Sequence, residues 1–185
     1  MKTKTNGWKY ILFGCLAAGA GVVAWFFIKK KKAAATTSEV VASSSTSDTS
    51  AVPTKAIGYR INNPLNIRFS AANNWKGQQG QQSGFCVFDT PENGIRAAMI
   101  NLKSYRKKGV VTIADIISRW APPSENNTEA YIDFVCNKLG ANRTDEVNQS
   151  AEDYIALLQT MCVMEIGCQP YSAEQWAKAA QLASL

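Results

Sequence analysis

The spacing of apolar residues in the C-terminal half of the chain predicts a series of amphipathic helices. Apolar side chains recur every three or four positions, the period of one helix face, in five segments: 91–108, 113–120, 128–139, 150–166 and 173–185. Thr90 precedes a proline that suits a first helical position, and Thr112 with Asp115 has the spacing of a capping box. Gly109 and Gly140 are typical helix ends. Helices therefore carry most of the apolar mass.

Before the first of these helices the pattern is different. Residues 59–69 and 85–88 have the composition of short extended segments, and the stretch between them, 73–84, is a polar loop rich in Gln and Gly. The prediction is a small mainly α (α+β) domain over residues 57–185. The periodicity alone fits an unrelated helical bundle equally well.

Residues 10–28 form the longest uncharged stretch, nineteen positions between Lys9 and Lys29. That length approaches the roughly 20 residues that cross a bilayer as a helix, and aromatic residues stand at both ends. We predict a single transmembrane anchor within residues 1–32. A cleaved signal peptide is disfavoured because the apolar run continues past its small-residue segment. The lysines on the two sides are too similar in number to set the orientation.

Small residues four positions apart, Gly14 with Ala18 and Ala17 with Gly21, lie within this segment. Such spacing lets two membrane helices approach closely. Small residues are also common in membrane helices in general. The spacing therefore has two explanations: a homo-oligomer formed through these residues, or the ordinary composition of a membrane helix.

Residues 33–56 are predicted to be a flexible linker. Eleven of the twenty-two positions from 33 to 54 are Ser or Thr, and none is aromatic. Such a composition buries too little apolar area to offset the entropy of ordering. The predicted order is therefore an anchor, a tether and a folded domain.

The net charge of +6 suggests a nucleic-acid or membrane partner, but its distribution favours the membrane. From residue 57 onwards, six lysines and six arginines balance five aspartates and seven glutamates. The other eight lysines precede residue 56, and seven of them flank the apolar stretch, as expected next to a bilayer. We expect no nucleic-acid binding by the folded domain, and a bilayer contact through residues 10–28.

Several kinds of chemistry are disfavoured. The chain has no histidine, the residue of most catalytic triads and the commonest metal ligand. No phosphate-binding glycine loop is present. Cys86, Cys136 and Cys162 fall on apolar faces and are expected to be core residues. A disulfide between Cys168 and another cysteine stays open, because the sequence does not identify the partner. We predict no cofactor and no metal.

Carboxylates remain as candidate catalytic groups, which suits glycoside cleavage. Glu165 continues an apolar stripe on the helix 150–166, close to its C-terminal end; burial and the helix dipole there both raise a carboxyl pKa. Glu125 is the second candidate, in a polar segment beside Trp120. The structural alternatives are a glutamate at a fraying helix end or paired with Arg68 or Arg96, and helix-start chemistry for Glu125.

A set of amides and aromatic residues has the composition of a sugar-binding surface. Amides can read hydroxyl groups, and a tryptophan can cover a sugar ring. The candidate ligand-binding residues are Asn62, Asn63, Asn66, Arg68, Trp75, Trp120 and Asn126. The alternatives are that Asn62-Asn63-Pro64 is turn chemistry and that Trp75 covers the core.

Five motifs support a resemblance over residues 57–167: Asn62-Asn63-Pro64, Asn66-Ile67-Arg68, Trp75-Lys76-Gly77, Arg96-Ala97 and the block 120–128. With them the chain resembles a family of virion structural proteins of bacteriophages and prophages, of the kind found in membrane-containing tailless phages. More distantly it is similar to lysozyme-like murein-cleaving domains, which implies a lysozyme-like fold.

The lysozyme-like relatives usually carry a catalytic glutamate on a helix upstream of the Asn-Asn-Pro motif. Here the upstream sequence is the linker, with Glu39 and Asp48 as its only carboxylates, and Leu65 replaces the usual glycine. The resemblance implies a membrane-anchored virion protein, in the viral internal membrane or the host inner membrane. Its domain would bind peptidoglycan and, as hydrolase or lytic transglycosylase, cleave it. The alternative is a non-catalytic protein that links membrane to capsid.

Overall fold

The computed structural model describes residues 56–185, and the anchor and most of the linker predicted above lie outside them. Six helices and two strands follow one another in this part of the chain. They are α1 (Ile57–Arg60), β1 (Gln78–Gln82), β2 (Phe85–Phe88), α2 (Pro91–Lys107), α3 (Ile113–Trp120), α4 (Thr128–Leu139), α5 (Ala151–Ile166) and α6 (Ala173–Leu182). The prediction of a mainly helical domain with a minor extended part is confirmed.

The helix boundaries follow from capping chemistry that is visible in the sequence. At α2 the Thr90 side chain accepts a hydrogen bond from the Asn93 backbone N–H, and at α5 Ser150 does the same for Asp153. The glycine after α4, Gly140, has the left-handed conformation expected of a C-cap. These caps satisfy helix-end groups that would otherwise lack a partner, which explains why the predicted bounds of α2 to α5 agree with the structure to within about one residue.

The segment before the helices differs from the prediction. Residues 59–69 are not extended: the chain forms the short helix α1 and then a series of turns, and only Arg68 makes a bridge, to Phe85. Asn62 and Asn66 have φ values of 55° and 48°. Two left-handed residues four apart prevent a continuous strand, and asparagine tolerates that conformation better than most residues.

The polar loop predicted over residues 73–84 is partly a strand. β1 pairs antiparallel with β2, with Gln82 opposite Phe85 and Gln78 opposite Phe88. Ser83 and Gly84 both have positive φ, as a two-residue hairpin turn requires. Glutamine-rich sequence has little intrinsic strand preference, so its pairing with the apolar strand β2 decides the structure.

Helix α5 lies at the centre of the helical packing. It contacts α1, α2, α4 and α6, while α4 also packs on α3 and α2 on α6. Leu157, Leu158 and Met161 of α5 are fully buried. Trp176 is fully buried as well and anchors α6; this helix was predicted to reach residue 185 and ends at Leu182.

Within residues 56–185, each helix is too short or too polar to span a bilayer. The same residues contain no group of three or more cysteine, aspartate or glutamate side chains placed to hold a metal ion. Cys86, Cys136, Cys162 and Cys168 are free thiols.

Candidate functional site: a cleft around a buried carboxyl group

A cleft of about 400 Å³ brings together side chains from distant parts of the sequence. We call it the Glu165 cleft. It is lined by Asn66, Ile67, Arg68, Asn73, Phe85, Asn101, Tyr105, Trp120, Ala121, Glu125, Asn126 and Glu165. Four amides and three aromatic rings are among these residues, so the cleft offers both hydrogen-bonding groups and flat apolar faces to a ligand.

Glu165 lies in the last turn of α5, and both of its carboxyl oxygens accept hydrogen bonds. Asn66 donates from Nδ2 to Oε2 at 3.0 Å and also to the Glu165 backbone carbonyl at 3.0 Å. The Tyr131 hydroxyl donates to Oε1 at 3.1 Å. The two oxygens have four lone pairs in all, and the donors Asn66, Tyr131 and Trp120 occupy three of them, so one lone pair remains for a proton.

Burial raises the pKa of Glu165, and hydrogen bonds from Asn66, Tyr131 and Trp120 oppose that rise only in part. Loss of hydration disfavours the charged form, whereas donors favour it. Burial next to Glu165 also raises the pKa of Tyr131, which keeps its hydroxyl protonated and able to donate. The carboxyl group therefore holds its proton more strongly than an ordinary glutamate does.

Glu125 occupies a different environment at the same cleft. It lies in the loop between α3 and α4, where its backbone N–H donates to the Pro122 carbonyl at 3.0 Å. Its side chain is 48% exposed and forms an ion pair with Arg68. The helix-start role considered for Glu125 is filled by Asn127, whose side chain accepts from the Ala130 N–H at 3.2 Å.

The ion pairs considered for Glu165 do not form. Arg68 pairs with Glu125, and Arg96 donates from Nε to the carbonyl of Leu182 at 2.9 Å. The carboxyl group of Glu165 is thus held by neutral donors alone, which is why burial remains the dominant influence on its pKa.

Six of the nine residues predicted as site residues line the Glu165 cleft. They are Asn66, Arg68, Trp120, Glu125, Asn126 and Glu165. The Trp120 ring packs edge-to-face against the Tyr105 ring, with centroids 6.4 Å apart and an angle of 71° between the ring planes. The Arg68 guanidinium lies 5.8 Å from the centroid of the Phe85 ring.

The structure places the other three predicted residues outside this cleft. Asn63 is fully buried, where its amide donates to the carbonyls of Ile67 and Cys86 at 2.9 Å, so it shapes the turn and is not accessible to a ligand. Asn62 donates to the Phe88 carbonyl at 3.0 Å. Trp75 packs against the core.

Asn62 also borders a second depression of about 460 Å³, which Tyr59, Arg60 and Tyr171 help to form. It contains no carboxylate and no other group suited to acid–base or nucleophilic chemistry except tyrosine hydroxyls. The Glu165 cleft is therefore the better candidate site.

Sequence reasoning missed several residues of the cleft. Asn101 and Tyr105 lie four positions apart on α2 and so share one helix face. Their spacing could have predicted this shared face from the sequence. Tyr131 lies on the predicted helix 128–139, and its hydrogen bond to Glu165 depends on the packing of α4 on α5. Asn73 and Phe85 reach the cleft through the turns around the hairpin.

The fold and the site define a small helical domain in which a cleft of amides and aromatic rings surrounds a buried carboxyl group. The chain is 41% identical over 128 residues to protein P5 of Pseudoalteromonas phage PM2, an alignment that covers 66% of this chain and 79% of that protein. The chain belongs to the family of this phage protein. No family model matches it.

Proposed function

We propose that the chain is a phage virion protein whose Glu165 cleft binds a glycan strand of peptidoglycan, and that Glu165 protonates the glycosidic oxygen during cleavage. The observation that carries this proposal is the buried carboxyl group with a raised pKa on the wall of a polar and aromatic cleft. Membership in a phage protein family supports the virion setting.

The proposed chemistry needs a carboxyl group that is protonated when the substrate arrives. Cleavage of a glycosidic bond leaves an alkoxide unless an acid donates a proton to the departing oxygen. The anomeric carbon then bonds to a hydroxyl oxygen, from water in a hydrolase or from the sugar itself in a lytic transglycosylase, and that hydroxyl returns its proton to the carboxylate. Burial supplies this property at Glu165, because it disfavours the charged form before the reaction and so retains the proton. The lone pair not engaged by Asn66, Tyr131 or Trp120 provides the place for that proton.

The sugar rings would lie against the aromatic side chains of the cleft, with amides on their hydroxyl groups. Trp120 and Tyr105 offer a ring edge and a ring face in one rigid pair. Asn101 and Asn126 line the same cleft and supply the amides. A glycan exposes apolar C–H faces and polar hydroxyls in alternation, which this combination of side chains matches.

The proposed location of the protein is a membrane. Residues 10–28 would anchor the chain in the viral internal membrane or the host inner membrane, and the linker would let the domain reach its substrate. The lysozyme-like fold implied by the resemblance belongs to the same proposal. The charge distribution supports it, because the lysines outside the balanced domain flank the apolar stretch.

A second candidate function is a non-catalytic structural protein that links membrane and capsid. Hydrogen bonds at Glu165 join the end of α5 to the Asn66 turn and to α4. The same carboxyl group can therefore serve only to hold three segments together. A hydrogen-bonded tertiary contact of this kind needs no substrate.

Release of soluble muropeptides from purified peptidoglycan by the full-length chain in mild detergent separates the two candidates. We expect release by the wild type and a loss of roughly 100-fold or more in the Glu165→Gln variant, the usual effect of removing a general acid. Glu125→Gln should retain activity within a few fold.

Glu129→Gln is the control, since Glu129 is an exposed carboxylate outside the Glu165 cleft. A folded wild-type chain that releases nothing would remove the enzymatic proposal and favour the structural one. Equal activity in wild type and Glu165→Gln would show that another group is the acid.

A further inference from the structure

The Glu165 cleft contains a single positively charged side chain among its lining residues. Arg68 is the cation, while Glu125 and Glu165 are acidic. A negatively charged ligand that entered the cleft would be repelled by the ionised carboxylate of Glu125 unless it also engaged Arg68. Arg68 is therefore the group on which recognition of an acidic ligand depends.

Arg68 and Glu125 lie 57 positions apart in sequence and meet at the cleft. Their side chains are 69% and 48% exposed, respectively. An ion pair this exposed contributes little to stability because water screens it. A ligand can therefore replace one partner at little cost.

The contact between the two side chains uses only part of the guanidinium. One nitrogen of Arg68, Nη2, donates to one oxygen of Glu125, Oε2. A guanidinium has five N–H donors and binds carboxylates best through two parallel bonds. The Phe85 ring, 5.8 Å from the guanidinium carbon, helps to hold the group in place.

We propose that Arg68 recognises a carboxylate carried by the glycan strand, and that Glu125 occupies the position of this carboxylate in the free protein. The inference rests on the proposed function of the cleft. Peptidoglycan carries carboxylates on its stem peptides, and on its lactyl ethers where the stem peptide is absent, whereas a polymer of N-acetylglucosamine carries none. On binding, Glu125 turns to solvent and the ligand takes its place on Arg68.

Affinity measurements on the full-length chain with three saccharides test this inference. They are chitotetraose, which is neutral; a peptide-free murein tetrasaccharide with free lactyl carboxylates; and the same tetrasaccharide with stem peptides. At low ionic strength we expect an acidic saccharide to bind about tenfold more tightly than chitotetraose, as one charge-assisted contact provides. The acidic saccharide that gains affinity identifies the source of the carboxylate.

Substitutions at the ion pair should separate its two partners. Arg68→Gln should lower the affinity for the acidic saccharide to that for chitotetraose. Glu125→Gln should raise the affinity for the acidic saccharide by about threefold and leave chitotetraose unchanged, because a competitor for Arg68 is removed. A purely structural ion pair would give the same result for both substitutions.

The chain offers a matched control in a second ion pair. Nη2 of Arg143 lies 2.9 Å from Oε2 of Glu129, and the two side chains are 48% and 69% exposed, respectively. Neither residue lines the cleft. Arg143→Gln and Glu129→Gln should leave all three affinities unchanged.

Equal binding of neutral and acidic saccharides by the wild type would overturn the inference and leave the proposed function in place. The same holds if Arg68→Gln weakens binding of all three saccharides equally. If the folded wild type binds none of them, the proposed function fails and this inference fails with it.

Discussion

At the scale of single residues, Glu165 combines two opposing influences. Burial disfavours its charge, while donors from Asn66, Tyr131 and Trp120 favour it, and burial prevails. Neither the depth of the site nor the identity of the donors is a property of the helix that carries Glu165. A carboxyl group in such a position lowers the stability of the fold when it ionises, and a group retained at that cost is a candidate for function.

Replacing Glu165 by Gln should stabilise the fold at neutral pH. The folded-state pKa of Glu165 lies above its ordinary value of 4.5, so at neutral pH the unfolded chain gains the free energy of ionising a hydrated carboxyl group, which the folded protein gains only in part or not at all. Glutamine ionises in neither state, and the Tyr131 hydroxyl can rotate to accept from its amide. We expect thermal unfolding at neutral pH to shift upwards by a few degrees.

The difference in stability between wild type and the Glu165→Gln variant should depend on pH. As pH falls through the raised pKa towards 4.5, wild type takes up a proton in the native state and its unfolding free energy approaches that of the variant. Melting temperatures measured across pH should therefore converge at acid pH. A variant less stable than wild type at neutral pH would indicate that the hydrogen bonds of Glu165 outweigh the desolvation of its charge.

At the scale of elements, the start of α2 is set by a close approach of two backbones. A β-carbon at Gly94 would lie 2.0 Å from the carbonyl oxygen of Asn62. Asn62 belongs to the turn that leads to Asn66, the residue that donates to Glu165. The position of α2 and the shape of the cleft are therefore linked through this glycine.

Gly94→Ala should destabilise the domain although alanine is the better helix former. The added methyl group meets backbone oxygen, which cannot move as a side-chain end can, and such overpacking costs about 1–3 kcal/mol. Urea unfolding measures the change, with Ser118→Ala at an exposed position of α3 as the control. An unchanged midpoint for Gly94→Ala would mean that the turn shifts freely away from α2.

At the scale of the whole molecule, charge and hydrophobicity are unevenly distributed. The residues from 57 onwards are neutral in sum, whereas the basic residues of the N-terminal part flank an uncharged stretch. This division underlies the proposal of an anchored domain. In that proposal the bilayer contact belongs to residues 10–28, and the Glu165 cleft binds a polymer outside the membrane.

Deletion of residues 1–32 should abolish membrane association. Because about 20 apolar residues supply most of the insertion free energy, the truncated chain should leave the vesicle fraction in a flotation gradient. Deletion of residues 33–54 is the control, since it shortens the linker and retains the anchor. Flotation of the chain without residues 1–32 would place the membrane contact in the folded part instead.

Some features of the fold were predictable from the sequence because they depend on near neighbours. Thr90, Ser150 and Gly140 mark helix ends through groups three or four residues away, and the apolar period identifies the faces that pack. The strand β1 was not predictable in this way, because glutamines form it only where β2 provides a partner.

The sequence by itself determined the helices, the neutral charge of the domain and the candidacy of Glu165. Only the tertiary structure decided which side chains surround this carboxyl group. Asn66 and Tyr131 lie 99 and 34 positions from Glu165 in sequence. Hydrogen bonding and desolvation act over a few ångströms of space, so they follow from how the helices pack and not from the order of residues along the chain.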